Sequence, residues 1–313
     1  MLARVAAALL LLSASSSLAA GWPPPSVPAS QGDLLAAYYS HFVEVPSGGV
    51  FLYGDDGSAK GAFAWDAAMS VSEDPAGNID VVSGSEVRVY SRTGTLLRTF
   101  GKSTPEAFGV AFDRAGHTFV AATRLDEFDA AGNFITSFPV EAFDLDMDAD
   151  QCSLFYTETL RRVRRFDVCT GTALPDLLPT LPAGAIGAFR LRLLRDGTVL
   201  VAVGDRILRV ARDGTIVRTY ADAEVSGWET LAVSVDGRSF WAGGESGIAK
   251  FDLASGRRLA PAIGALATAL AVAGEPRMAF IAAPPAPSVP VLSDAALLLA
   301  AALLALAAML RLQ

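Results

Sequence analysis

One phrase, a strand, an Asp/Gly turn and a second strand, recurs six times along this chain of 313 residues. The copies follow one another at about 35–40 residues, a period typical of stacked supersecondary units. Such a period means that the chain must fold as an array. The copies occupy residues 50–63, 87–100, 125–138, 163–177, 207–220 and 248–263.

A further strand pair precedes every hairpin except the first, and one more pair follows the last hairpin. These pairs occupy residues 68–84, 107–123, 142–159, 188–204, 229–244 and 268–283. Four antiparallel strands make one blade of a β-propeller. The sequence therefore predicts an all-β, six-bladed propeller over residues 47–283, preceded by a lead segment at 20–46.

The two ends of the array are each half a blade, and together they make one. The hairpin at 50–63 would complete the strand pair at 268–283, so that N- and C-terminal strands close the ring and leave no open edge. The alternative is a seven-bladed ring in which residues 34–45 supply an extra partial blade. The Asp-Gly turns and the phrase strand–Tyr/Phe-Asp-x-x-Gly resemble NHL-type six-bladed propellers. This resemblance implies a fold and no particular activity, because propellers host unrelated functions.

The N-terminus has the three-part pattern of a secretory signal peptide. Arg4 is followed by an apolar run at 5–12 and by a small, polar stretch. Ser17 and Ala19 fit the small-x-small rule for cleavage after residue 19, so we expect a signal peptide at 1–19. The alternative is an uncleaved anchor, although the apolar run is short for a bilayer of about 30 Å.

The C-terminus carries a second long apolar run. Residues 295–310 have no polar side chain, and Arg311 follows. As a helix the run would be about 24 Å long, which is enough for a short membrane span. The alternative is a buried core helix, but a Pro-rich linker at 284–288 separates the run from the repeats.

The tail at 289–313 resembles the IPTL-CTERM family of bacterial sorting signals, which are similar to the PEP-CTERM tails handled by exosortases. Val289, Pro290, Leu292 and Ser293 match the family motif, and Val291 stands where threonine is usual. The resemblance implies a transmembrane helix and an exosortase-type processing enzyme as partner. With the signal peptide, it predicts an exported protein at the periplasm or cell surface, anchored or sorted through this tail.

The two cysteines fall in one predicted blade, in two turns that antiparallel order places at the same end. Export to an oxidising compartment favours disulfides. We therefore predict a bond between Cys152 and Cys169. In the chain-entropy description, closing a loop of this length contributes about 3 kcal/mol of stability.

The sequence offers no catalytic or metal-binding constellation, and we predict no cofactor. His117 lies in a predicted turn, and the acidic turn at 54–58 lacks the glutamate that ends an EF-hand loop. Asparagine, a metal ligand in the gluconolactonase/regucalcin-like propellers, occurs only as Asn78 and Asn133, both in turns. The net charge of −8 argues against nucleic acid as a partner.

The predicted binding surface is the channel mouth on the face formed by the loops between strands two and three and between blades. We expect a non-enzymatic module that binds a protein or a glycan at the cell envelope. The alternatives are a metal-dependent lactonase-type hydrolase and a structural surface or matrix protein. The candidate mouth residues are Arg124, Asp126, Glu158, Arg161, Asp205, Arg206 and Glu245, together with Glu106, Glu141, Trp228 and Glu229 at the blade entries.

Overall fold

A computed structural model describes residues 27–39, 48–64, 67–101, 106–158 and 161–280. The predicted signal peptide, linker and sorting tail lie outside these residues. Within the part that is described, no helix is long and apolar enough to cross a membrane. The described chain consists of antiparallel strands grouped in six sheets.

Each sheet is one blade, and the strands are numbered here along the chain. Blade 1 combines β1 (Leu34–Tyr38), β2 (Gly49–Tyr53) and β3 (Ala59–Ala64) with β23 (Ala269–Val272). Blade 2 holds β4 (Ser70–Glu73), β5 (Ile79–Ser83), β6 (Glu86–Tyr90) and β7 (Leu96–Phe100). Blade 3 holds β8 (Gly109–Phe112), β9 (Thr118–Ala121), β10 (Leu125–Phe128) and β11 (Phe134–Phe138).

The remaining three blades follow in chain order. Blade 4 holds β12 (Asp144–Met147), β13 (Ser153–Glu158), β14 (Arg162–Asp167) and β15 (Thr172–Leu178). Blade 5 holds β16 (Leu191–Leu193), β17 (Val199–Ala202), β18 (Ile207–Val210) and β19 (Ile216–Tyr220). Blade 6 holds β20 (Trp228–Val233), β21 (Ser239–Gly244) and β22 (Gly247–Asp252).

The six blades form a closed ring. The innermost strands β4, β8, β12, β16, β20 and β23 each pack beside the next, and β23 returns to β4. The described residues form six apolar clusters, and each one joins the facing sides of two neighbouring blades. The predicted six-bladed propeller is therefore confirmed, and apolar packing between blades holds the ring together.

The Asp/Gly turns explain why the repeat has its sequence form. In the β10–β11 turn, Asp129 Oδ1 accepts hydrogen bonds from the backbone N–H groups of Ala131 and Asn133, at 2.9 and 2.8 Å. Gly132 lies at φ 87°, a left-handed conformation that favours glycine. The aspartate carboxylate thus accepts hydrogen bonds from turn N–H groups that have no partner in the strand ladder. Glycine adopts the left-handed conformation that reverses the chain direction.

The ring closes in a register different from the predicted one. We expected residues 268–283 to give two strands to the closing blade, but in the described part of this range, residues 268–280, β23 is the single strand. Pro276 cannot donate to a strand ladder, and residues Met278–Phe280 form a 3-10 helix. The second strand of the blade is β1, in which Leu34 pairs with Val272. The lead segment at 20–46 therefore already contains propeller, and residues 34–38 do not belong to a seventh blade.

The outer part of blade 6 also departs from the prediction of a full hairpin at 248–263. After β22 the chain makes two isolated bridges, which join Ile248 to Ile263 and Phe251 to Arg258. Pro261 lies between the two bridging positions, and proline interrupts a ladder because it has no N–H group. Blade 6 is consequently three-stranded with an irregular outer edge.

The predicted disulfide is confirmed. Cys152 in the β12–β13 turn and Cys169 in the β14–β15 turn are bonded, and their Cα atoms lie 5.2 Å apart. The bond joins the two hairpins of blade 4 at one end. A turn-to-turn link of this kind opposes fraying of the outer hairpin from the inner one.

Candidate functional site

The ring has two unlike faces. In the four blades formed by continuous chain, blades 2 to 5, the first face carries the turns that join strands one to two and strands three to four; blades 1 and 6 contribute their β2–β3 and β20–β21 turns to it. The second face carries the loops between strands two and three and the connections between blades. Each innermost strand runs from the second face to the first, so the residue that precedes it stands at the channel mouth on the second face.

A buried arginine fills the channel just below that mouth. The side chain of Arg190 is 1% exposed and forms an ion pair with Asp144 at 2.9 Å. Its guanidinium also donates to the backbone carbonyls of Phe108 at 2.9 Å and Met69 at 2.6 Å, and to that of Thr268 at 3.4 Å. One side chain from blade 5 thus binds blades 1, 2, 3 and 4 at once.

Below Arg190 the channel continues as a ladder between blades 4 and 5. Asp144 Oδ2 accepts from the backbone N–H of Leu191, and Asp146 Oδ2 accepts from that of Leu193, each at 2.9 Å. Burial raises the pKa of Asp146, although nearby arginines oppose the shift. Both carboxylates therefore serve as structural acceptors inside the ring.

The segment after β23 completes the polar core of the channel. Arg277 pairs with Glu275 at 3.0 Å and with Asp146 at 3.5 Å, and Arg192 lies 3.4 Å from Glu275. Burial, followed by the charge of Arg277, lowers the pKa of Arg192. Together with Asp144 and Arg190, these four residues make three carboxylates and three guanidinium groups, so the network has no net charge.

This network does not fit the divalent metal of lactonase-type propellers. The channel carboxylates described above are each paired with an arginine, and Asn78 and Asn133 are bound to Asp74 and Asp129 in first-face turns. The one cluster of potential metal ligands among the described residues combines Asp167 with the two cysteines, which are joined in the disulfide.

Six equivalent residues surround the mouth on the second face, one ahead of or at the start of each innermost strand. All six are half-buried. The rings of Phe108 and Phe143 are stacked with centroids 5.5 Å apart. The guanidinium carbon of Arg190 lies 5.1 Å from the Phe143 centroid. The mouth is thus a largely apolar ring of side chains above the buried Arg190–Asp144 ion pair. The six residues of this mouth ring are Met69, Phe108, Phe143, Phe189, Glu229 and Thr268.

Glu229 gives this ring its acidic side. Burial raises the pKa of the Glu229 carboxyl, the charge of Glu245 raises it further, and Arg190 acts in the opposite direction. Glu245 follows β21, and its side chain packs so closely against Gly227 that a Cβ there would lie 2.9 Å from Glu245 Cγ. Of the predicted mouth residues, Glu229 belongs to the mouth ring, and Glu245 interacts electrostatically with it.

The other predicted mouth residues do not form one cluster. Within blade 3, Arg124 Nε lies 3.0 Å from the buried carboxylate of Asp126. Within blade 5, Arg206 lies 3.5 Å from Asp205. Glu106 and Glu141 are exposed ahead of β8 and β12. Trp228 is fully buried in the apolar cluster between blades 5 and 6.

In blade 4 the predicted residues join a local ion-pair group. Glu158 pairs with Arg162 and, at 3.1 Å, with Arg164. Arg161 donates its backbone N–H to the Glu158 carbonyl at 2.7 Å. Arg165 turns to the opposite side of the strand, where its guanidinium lies 5.7 Å from the Phe155 ring centroid. Arg162 and Arg164 therefore lie on one side of β14 and Arg165 on the other, in keeping with the alternation of side chains along a strand.

The mouth phenylalanines were missed because each one reads as the start of an apolar core strand. A repeated signal could have found them, since the dipeptide Ala-Phe opens blades 3, 4 and 5. In each case the alanine is buried in the ring and the phenylalanine is half-exposed. The phenylalanine that recurs after a buried alanine at the start of these three blades therefore marks the mouth.

A separate buried carboxylate lies between blades 2 and 3. Asp80 is fully buried, and both of its oxygens lack a hydrogen-bond partner among the described residues. A cavity of about 280 Å³, lined by Arg98 and Thr118 among others, lies at the first-face end of the same interface. Burial, followed by the charge of Asp74, raises the pKa of Asp80 well above its ordinary value, while Arg98 opposes the shift.

We expect Asp80→Asn to stabilise the protein at neutral pH and to flatten its stability against pH. A carboxyl whose pKa is raised by folding contributes fully below its unfolded value, about 3.9, and loses that contribution as pH rises through the folded value. The variant cannot ionise and therefore avoids this loss. Urea unfolding of both proteins between about pH 4 and pH 9 measures it.

The exposed turn residue Asp56 supplies the control for this experiment. Its pKa is lowered by the side-chain and backbone hydrogen bonds from Ser58, so Asp56→Asn should lower stability at neutral pH and leave the decline due to Asp80 in place. Equal pH profiles for wild type and Asp80→Asn would contradict the assignment.

Comparison with known proteins supports the fold alone. No protein-family model and no curated protein matches the sequence. A crystal structure of a protein of unknown function from Bacteroides caccae matches with a TM-score of 0.59 and 14% identity, over 79% of this chain and 100% of the other. A chain in the crystal structure of a nidogen/laminin complex matches with a TM-score of 0.63 and 12% identity, over 78% and 99%. By its strand order and these likenesses, the chain is a six-bladed β-propeller.

Proposed function

We propose that this propeller is a non-enzymatic interaction module that binds a partner through its second-face mouth. The observation that carries the proposal is the ring of half-buried Met69, Phe108, Phe143 and Phe189 above the buried Arg190 network. Such a ring offers apolar surface at a fixed position, and aromatic residues are enriched at protein interfaces. The solved neighbour from the nidogen/laminin complex is a precedent for a propeller of this shape in a protein complex.

A lactonase-type hydrolase has less support from the same geometry. Metal-dependent hydrolysis needs ligands that are free to bind the ion and an open coordination position. The channel carboxylates accept hydrogen bonds and ion pairs from this chain's own arginines and backbone instead. A purely structural matrix role would leave the mouth without an occupant, so the experiment below also separates that alternative.

Site-specific photocrosslinking in cells tests the binding role. A photoreactive phenylalanine analogue replaces Phe108 at the mouth of the full-length chain, and a matched variant carries it at Phe134. That control residue lies on the outermost strand of the same blade and is 53% exposed. We expect a discrete adduct from the mouth position alone, and its loss when Phe189→Ala is added. Adducts from neither position, or the same adducts from both, would contradict the proposal.

We further propose that the module is exported and held at the cell envelope through its C-terminal segment. The support is the sequence pattern of the two ends, with a signal-peptide pattern at 1–19 and the apolar run at 295–310 followed by Arg311. We expect the full chain to sediment with membranes and a chain that ends after Pro284 to be released in soluble form. Equal fractionation of the two chains would remove the tethering role.

A further inference from the structure

The second-face mouth has two carboxylates whose negative charge is not balanced by an ion pair among the described residues. The nearest described arginine, Arg190, is bound inside the channel. Arg190 is 1% exposed and bound to Asp144 and to backbone carbonyls. Glu229 is half-buried and Glu245 exposed at the same mouth, and within the described part of the chain neither of these carboxylates takes part in an ion pair. An occupant of opposite charge would therefore meet electrostatic attraction.

The aromatic side of the mouth can accept a cation together with its apolar stem. Cations bind over aromatic faces within about 6 Å of the ring centroid. Phe143 already receives the Arg190 guanidinium from inside the channel at 5.1 Å. Phe108, stacked on Phe143, and Phe189 extend the aromatic surface. Long basic side chains bury their alkyl stems on such surfaces and keep the charged end beside a carboxylate.

The arrangement disfavours a bare metal ion. Among the described residues, the carboxylates at the mouth do not belong to any group of three close ligand atoms, and phenylalanine offers no ligand atom. An anionic occupant would meet Glu229 and Glu245 directly. The remaining class with matching charge and apolar surface is an organic cation on a flexible stem.

We propose that the mouth binds a lysine or arginine side chain presented by a loop of a partner protein, with Glu229 as its ion-pair partner and the phenylalanines around its stem. This inference rests on the proposed binding role of the mouth and specifies the chemistry of the occupant. The raised pKa of Glu229, caused by burial and then by Glu245, agrees with it, because a bound cation relieves that repulsion.

Selection of random heptapeptides displayed on phage against the immobilised full-length chain tests the inference. We expect enrichment of peptides with a lysine or arginine next to an apolar residue. The affinity of the most enriched peptide should fall about tenfold, or 1.4 kcal/mol, on Glu229→Gln. Replacing the peptide's basic residue by glutamine should weaken wild-type binding equally, and it should have little further effect on the Glu229→Gln protein.

The matched control is Asp205→Asn, which removes a carboxylate from the same face but at the local pair with Arg206. It should leave the affinity unchanged. Enrichment of acidic or uncharged peptides, no enrichment at all, or unchanged affinity in Glu229→Gln would overturn the inference. Crosslinking at the Phe108 position tests the binding role independently. An adduct there without a preference for basic peptides would contradict the basic side chain as occupant but would still support the mouth as a binding surface.

Discussion

Replacing Arg190 by methionine is expected to lower the free energy of unfolding by about 3–5 kcal/mol, the range for breaking a buried ion pair on one side. Methionine keeps much of the stem volume but removes every donor. The carbonyls of Phe108 and Met69 lose their charged partner, and Asp144 stays buried with the more distant Arg192 at 3.3 Å. Urea unfolding of the full chain measures the loss.

Two companion variants make this expectation specific to the channel. Arg206→Met removes a guanidinium from a partly exposed pair with Asp205, and such pairs contribute at most about 1 kcal/mol. Adding Asp144→Asn to Arg190→Met removes the buried charge that has lost its nearer partner, Arg190, and should recover part of the loss. If Arg190→Met destabilises no more than Arg206→Met, the channel network does not hold the ring together.

The channel network shows how far the repeat pattern reaches. The repeat predicted the number of blades, because this follows from counting the copies, and it predicted the turns and the positions of the two cysteines, because these depend on residues within one blade. The channel network depends instead on closure of the ring, which brings the Arg190 guanidinium to backbone carbonyls that lie 82 and 121 positions away in the chain. The ladder between blades 4 and 5 is the one part of this network with a recognisable sequence pattern. Asp144-x-Asp146 and Arg190-x-Arg192 place charged residues in apolar strands at matching positions of these adjacent blades.

The closing register could not be predicted for a related reason. Residues 34–38 and 268–272 are both short apolar runs, and hydrophobicity alone does not decide which strand of a blade each one forms. Two local features settle the matter in the structure. Pro276 follows β23 after three residues, and Glu275 and Arg277 enter the channel. The C-terminal end of the ring therefore turns inward instead of forming a second strand.

Removing the closing strand is expected to prevent the ring from folding. A chain that ends after Gly264 lacks β23, whereas one that ends after Pro284 keeps it. Leu270 and Val272 are fully buried, and each such side chain contributes about 1.5–3 kcal/mol through burial. Without β23, the inner edge of β1 and the flanks of β20 and β4 would also be open, which invites pairing with other chains.

The chain ending after Pro284 should therefore show one cooperative unfolding transition in urea, and the chain ending after Gly264 should show none and should be cleaved rapidly by protease. The shorter chain also lacks Glu275 and Arg277, so a longer chain with Glu275→Gln and Arg277→Met separates loss of the network from loss of the strand. That variant should unfold cooperatively at lower urea, because its ring is still closed by β23. Cooperative unfolding of the shorter chain at the same midpoint as the longer one would show that the pairing of β1 with β23 does not close the ring.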